Sequence, residues 1–189
     1  MSQAAAKNTQ SSKFSVREIC YTGLFAAVIA VMAQISIPMP LGVPMTMQTF
    51  AITLAAVVLG SKLSAMASLV YLILGAVGVP VLASFSGGID KFVGPTGGFL
   101  ISFPLMAYLI GLGVEHRNAF KGAFPLAVVV GTVVNYIVGV ILFVIVAHST
   151  VAVAISACVL PFIPTAIIKA VLACAIGLNI RKRIPGLKA

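Results

Sequence analysis

The chain has 189 residues, of which 61% are hydrophobic and only 8% charged, with a mean hydropathy of +1.19. Soluble domains carry about 25% charged residues, and so few charges cannot coat a water-facing fold; the apolar excess must face lipid. The net charge of +9 does not point to nucleic acid, because the basic residues form no stripe with interleaved aromatics and no recognition motif accompanies them.

In chain order, residues 1–15 are rich in Ala, Ser, Gln and Lys and predict a disordered cytoplasmic tail. This tail is long and polar for a signal-peptide start, and no cleavage site follows it. A spanning helix needs roughly 20 mostly apolar residues, with about 17 tolerated. Six segments come near this. The first, 16–37, stops at Pro38 and Pro40. The second, 45–59, is short and closes at Gly60-Ser61-Lys62, and the third, 64–79, ends before Pro80. The fourth, 97–114, follows a Gly/Pro-rich loop, and the fifth covers 122–147. The sixth, 151–178, is interrupted by Pro161 and Pro164, which remove backbone donors and predict a kink.

These segments predict an all-α integral membrane protein: a six-transmembrane-helix bundle over 16–183, followed by a cytoplasmic tail, 184–189. By length alone, 45–59 and 64–79 also fit a helical hairpin that only dips into the membrane. The charges favour six spans with both termini cytoplasmic. That topology puts Lys7, Lys13, Arg17, Lys62, Arg117, Lys121, Arg181, Lys182, Arg183 and Lys188 inside, leaves Lys91 outside, and sets Lys169 within the sixth helix. Five spans would put one basic terminus outside. The Gly/Pro-rich outer loops, 38–44 and 80–96, suit either plain connectors or lids, since irregular backbone near membrane depth survives only when buried or lining a cavity.

Lys169 is the sharpest single feature. An ammonium at membrane depth costs about 2.5–3.5 kcal/mol even on the lenient insertion scale, and marks a functional site by default. Snorkelling is the alternative. Arg181 is twelve residues further on, roughly 18 Å of helix rise, which is far for a lysine to reach the cytoplasmic face. An ammonium here suits a carboxylate ligand. With Glu18 and Glu115 expected on the inner side, only Asp90 is left within reach as an internal partner.

Gln48 and Asn135 are amides in apolar surroundings, suited either to a ureido or amide group of a ligand or to bonds between helices. Tyr71, Phe92, Phe99 and Tyr136 suit the wall of a pocket for an apolar ring, or core packing and an interfacial belt. Ala26-x-x-x-Ala30 is a small-xxx-small pattern, equally consistent with a partner surface and an internal helix contact. Cys20, Cys158 and Cys174 read as buried small hydrophobes. His116 and His148 lack neighbours for a metal site. Three acidic residues expected apart supply neither a paired-carboxylate site nor a metal cluster, which argues against an enzyme. The chain has no phosphate-binding Gly-rich loop, so a primary pump would need another subunit.

Four pieces in one order carry a resemblance: Ile37-Pro-Met-Pro with Val43-Pro-Met-Thr-Met-Gln48, Tyr71-Leu-Ile-Leu-Gly-Ala-Val-Gly-Val-Pro80, Gly94-Pro-Thr-Gly-Gly-Phe-Leu100, and Pro161-Phe-Ile-Pro164 leading to Lys169. From about Arg17 to Arg183 the chain resembles the BioY family, the biotin-binding S components of energy-coupling-factor (ECF) vitamin transporters. The resemblance implies a multi-pass protein of the bacterial plasma membrane that captures biotin from outside. It also implies partners: a transmembrane coupling protein and two ATPase subunits that supply the energy. It implies a site near the outer face under the first outer loop and the Gly-Pro-Thr-Gly-Gly loop, which brings Gly94 and Thr96 to the substrate. Ala26 and Ala30 then face the coupling protein.

The expected substrate contacts are therefore Lys169, Gln48, Asn135, Tyr71, Phe92, Gly94, Thr96 and Phe99, with no catalytic residue, no metal and no cofactor besides the transported biotin. The pattern departs from the family at Pro164-Thr-Ala-Ile-Ile-Lys169, where Ala166 stands in place of the usual Asp. An i,i+3 pair shares a helix face, so Lys169 lacks a local counter-ion. The rival reading is a stand-alone secondary carrier for a small carboxylated metabolite.

Overall fold

Helix α1, Val16–Ala33, begins where the Glu18 carboxylate accepts the Ser15 backbone N–H at 2.8 Å, an acid placed against the positive end of the helix dipole. The computed structural model describes residues 15–39, 43–118 and 122–184. The expected tail at 1–15 lies outside these residues except for Ser15, as do Lys7, Lys13, Pro40, Lys121 and the end of the chain beyond Ile184.

The sequence predicts helix up to 37, but α1 stops at Ala33. Ser36–Ile37 forms a short strand, β1, antiparallel to β2, Met45–Thr46, with Ser36 opposite Thr46. The β-branched Ile35 and Ile37, together with Pro38 directly after, disfavour helical backbone here. The described residues of this loop thus pair as two short strands between the end of α1 and the start of α2, Gln48–Leu59.

Helix α2 is the axle of the bundle. All of its residues but Thr49 are buried, and α1, α3 (Ser61–Ala76), α5 (Gly97–Glu115) and α8 (Ile163–Arg183) pack around it. At 12 residues it rises only about 18 Å. A helix that is apolar all round and short is suited to a protein interior. Gly60 alone joins it to α3, Ser61–Ala76; its φ of +85° and ψ of −173° lie in a region reserved for glycine.

That joint leaves orphan carbonyls at the end of α2 and orphan N–H groups at the start of α3. Charged side chains from elsewhere satisfy both. Arg181 donates through Nη1 to the carbonyls of Val57 and Val58 at 3.2 and 3.0 Å. Glu115, at the end of α5 (Gly97–Glu115), accepts the Ser61 N–H at 2.7 Å and the Ser61 hydroxyl at 2.9 Å. Arg181, read from sequence as a surface topology marker, is instead 6% exposed inside the bundle.

Beyond α3 come a 3-10 turn, Ala83–Phe85, and the one-turn helix α4, Asp90–Val93. Helix α6, Ala123–Val146, packs along α5. Its inward face is small or polar (Ala123, Val128, Gly131, Asn135, Gly139, with Phe143 at the end), while Val129, Val133, Ile137, Ile141 and Ile145 point outward and are exposed. Small residues let membrane helices approach closely and large aliphatic ones meet lipid.

The expected sixth segment is broken where its prolines fall. Helix α7, Val151–Cys158, passes through a 3-10 turn at Leu160–Phe162 into α8, Ile163–Arg183. Helix α8 lies parallel to α2. Lys169 bonds the chain just before α2 begins and Arg181 bonds the chain near its end. Between them Gly177 lets the two backbones close, since a Cβ there would press on Val57 at 2.7 Å.

The molecule is therefore mostly helical. Four segments, Val16–Ala33, Gly97–Glu115, Ala123–Val146 and Val151–Arg183, are long and apolar enough to cross a membrane. Helices α2 and α3 are shorter apolar helices.

Candidate ligand-binding site

The first turns of α2 and α5 converge on a cavity of about 310 Å³. It is lined by the polar side chains of Gln48, Thr49, Asn135 and Lys169, by the aromatic rings of Phe99, Phe103, Tyr136 and Phe162, and by Val43, Pro44, residues of the 83–86 turn, Lys91 and Thr96. The volume lies within the range typical of small-molecule sites, which combine apolar walls with a few convergent polar groups.

Lys169 reaches this cavity because α8 is docked on α2. Its ammonium donates to the Thr46 carbonyl at 2.7 Å. From there a chain of bonds runs inward. The Thr46 hydroxyl donates to Gln48 Oε1 at 2.8 Å, and Gln48 Nε2 donates to the Tyr71 hydroxyl oxygen at 2.6 Å. Tyr71 itself is fully buried and does not line the cavity, contrary to the expectation. It holds the Gln48 amide in place from behind.

Asn135 is fixed from the other side. Its Nδ2 donates to the Phe99 carbonyl at 3.1 Å and to Ser102 Oγ at 2.7 Å. The Phe99 carbonyl can only accept, so this side of the amide must be nitrogen. That leaves Oδ1, which forms no bond among the described residues, as an acceptor on a residue that lines the cavity. The Phe99 ring meets Tyr136 edge-on, with centroids 6.4 Å apart and planes at 83°. Such a pair adds about 0.5–1.5 kcal/mol beyond burial and makes a stiff wall.

The electrostatics favour an anion. Lys169 and Lys91 both line the cavity, and among the described residues no acidic one does. Asp90 does not reach Lys169; it pairs with Lys91 at 3.1 Å. Ala166, three residues before Lys169, lines the cavity as well and brings no charge to it. Among the described residues Lys169 forms no ion pair. The N-termini of α2 and α5 add partial positive charge.

Of the sequence-expected contacts, Lys169, Gln48, Asn135, Thr96 and Phe99 come together here, while Tyr71, Phe92 and Gly94 do not line the cavity. Phe92 is turned against the main core, and its carbonyl crowds Gly97 at the start of α5. Gly94 ends α4 and serves the turn into α5. Lys91, Thr46, Thr49, Ser84, Ser86 and Thr165 were not anticipated. Lys91 carried a usable signal, as the sole cation expected on the outer side. Thr46 carried none, because a backbone carbonyl has no sequence signature.

Ala26 requires a correction. It is 3% exposed and packed in the core with Ile29 and Ala33, and Ala30 rests half-buried against the same cluster. A side chain occupied inside the bundle is not open to a partner, so Ala26 serves an internal helix contact, while Ala30 keeps part of its surface exposed. The outward face of α1 carries Cys20, Gly23, Leu24, Ala27 and Val31.

The family model described as BioY matches residues 6–186. The biotin transporter BioY of Thermotoga maritima is 42% identical over 168 residues, covering 88% of this chain and 97% of the relative. That of Rhizobium etli is 34% identical over 186 residues, covering 93% and 98%. Among solved structures, the S component for biotin from an ECF-type ABC transporter superposes with a TM-score of 0.79 at 28% identity, covering 88% of this chain and 92% of that one. With a matching family model over nearly its whole length and a relative 42% identical over 88% of it, the chain belongs to the BioY family.

Proposed function

We propose that this chain is the biotin-binding membrane subunit of an ATP-driven ECF-type importer. The observation that carries the reading is the cavity: cationic, free of acids, apolar-walled, and ending in the acceptor of Asn135. Biotin offers a carboxylate, a ureido group with two N–H donors and a carbonyl acceptor, and an apolar ring system. Lys169 takes one of its acceptor groups, Asn135 Oδ1 accepts a ureido N–H, and the Phe99–Tyr136 pair covers the rings. Gln48 keeps the α2 side of the site rigid.

The membrane arrangement follows the charges. Six spans with both termini cytoplasmic put the α2–α3 joint and the Arg181–Arg183 cluster inside and the cavity toward the outer face. Helix α2, sheathed by protein, does not have to match the bilayer thickness. Biotin is captured from outside and delivered by reorientation of the bundle against a transmembrane coupling protein, with two ATPase subunits supplying the energy. The chain supplies binding and no turnover of its own.

The test is calorimetric titration of the purified protein with biotin and with biotin methyl ester. Binding of biotin in a one-to-one complex is expected, with the ester weaker. Absence of binding, or uptake by this chain alone in liposomes driven by an ion gradient, overturns the reading in favour of another ligand or a stand-alone carrier.

A further inference from the structure

A second concavity lies beside the cavity. It is a groove of about 570 Å³ between α6 and the α7–α8 segment, formed because α6 packs on α5 and α7, α8 packs on α2, and α6 and α8 do not pack along each other. On one wall stand Val129, Val133, Ile137 and Ile141; on the other Ile155, Ile163 and Ile167. Only Thr132 and Tyr136 bring hydroxyls to it, and that of Thr132 is already spent on the Val128 carbonyl at 2.8 Å. Tyr136 and Ala166 line the groove and the substrate cavity alike, so the partition between them is one side chain thick.

We infer that the acyl chain of a bilayer phospholipid occupies this groove and forms the outer layer of the substrate cavity's side wall. Three observations specify that occupant. Both walls belong to segments long and apolar enough to cross a membrane, so the groove opens into hydrocarbon. Its lining offers almost no hydrogen bonding, which rejects a peptide or headgroup and accepts an alkyl chain. From Val128 to Ile141 the groove follows α6 for roughly 20 Å, enough to hold a chain spanning the ~15 Å hydrocarbon depth of one leaflet. The inference rests on the membrane reading above but not on the identity of the substrate.

The chain has no tryptophan, so a single introduced one reports alone. Val133→Trp or Ile167→Trp places it in the groove, and Ile73→Trp places it on the exposed face of α3 as a control for ordinary boundary lipid. Each variant is reconstituted in phosphatidylcholine brominated along its acyl chains, then diluted into detergent. All three are expected to be quenched in vesicles. On dilution the groove tryptophans should lose quenching severalfold more slowly than the control. Equal recovery at all positions overturns the inference. So does a groove tryptophan that is unquenched in vesicles while the control is quenched, the result expected if a second copy or a closed α6–α8 seam fills the groove. Failure of quenching at every position overturns the membrane reading as well.

Discussion

Replacing Lys169 by Met removes the ammonium while keeping an unbranched side chain of similar length. The ammonium spends one N–H on the Thr46 carbonyl at 2.7 Å, which leaves two donors for a ligand. A hydrogen bond to a charged group is worth about 1.5–3 kcal/mol. Each 1.4 kcal/mol is tenfold in affinity, so Lys169→Met is expected to weaken biotin binding by roughly tenfold to a hundredfold. The substitution also removes a charge that has no ion-pair partner among the described residues. The empty protein should therefore unfold at a similar or slightly higher temperature, because relief from burying the charge offsets the lost bond to Thr46. The assay is paired: calorimetric titration with biotin, and thermal unfolding without it. Unchanged affinity would refute the placement of a substrate acceptor at Lys169. A loss of affinity matched by a large fall in melting temperature would assign Lys169 to holding the β1–β2 pair instead.

Asn135→Leu removes the free acceptor and the two bonds to Phe99 and Ser102, and should weaken biotin at least tenfold, with a smaller effect on an analogue lacking the ureido N–H groups; equal loss for both ligands in a titration would contradict a bond from Oδ1. Gly60→Ala forces a side chain into a glycine-only backbone region and against the Glu115 carboxylate, and should cost about 1–3 kcal/mol in chemical denaturation; a neutral result would mean that the α2–α3 joint relaxes freely. Ala26→Trp should lower thermal stability severely because the site is packed, whereas Ala27→Trp, on the exposed face of α1, should leave stability and biotin affinity unchanged. Similar unfolding temperatures for the two variants would contradict the inward placement of Ala26.

The apolar excess, the positions of the breaking prolines and the lone cation within the last apolar segment are properties of composition and spacing, and they were legible at once. Pro161 and Pro164 break the last segment where they stand, and Lys169 opens onto a cavity. The four motif pieces carried the family. What spacing could not resolve was the direction each side chain takes. Gln48 and Tyr71 read as two ligand contacts, yet one supports the other. Ala26 and Ala27 are adjacent in a uniformly apolar helix, and only the packing of α1 on α2 and α3 turns the first inward and the second out.

Arg181 shows the limit most sharply. In sequence it is one of three consecutive basic residues at a helix end, and counts toward topology. In the fold it is buried, because the end of α2 presents carbonyls that nothing in α2 itself can satisfy. Composition and spacing thus predicted a membrane protein with one ammonium set in an apolar helical stretch. The tertiary structure decided what that ammonium faces, since only the docking of α8 along α2 brings Lys169 beside Thr46 and into the cavity that Asn135 also lines.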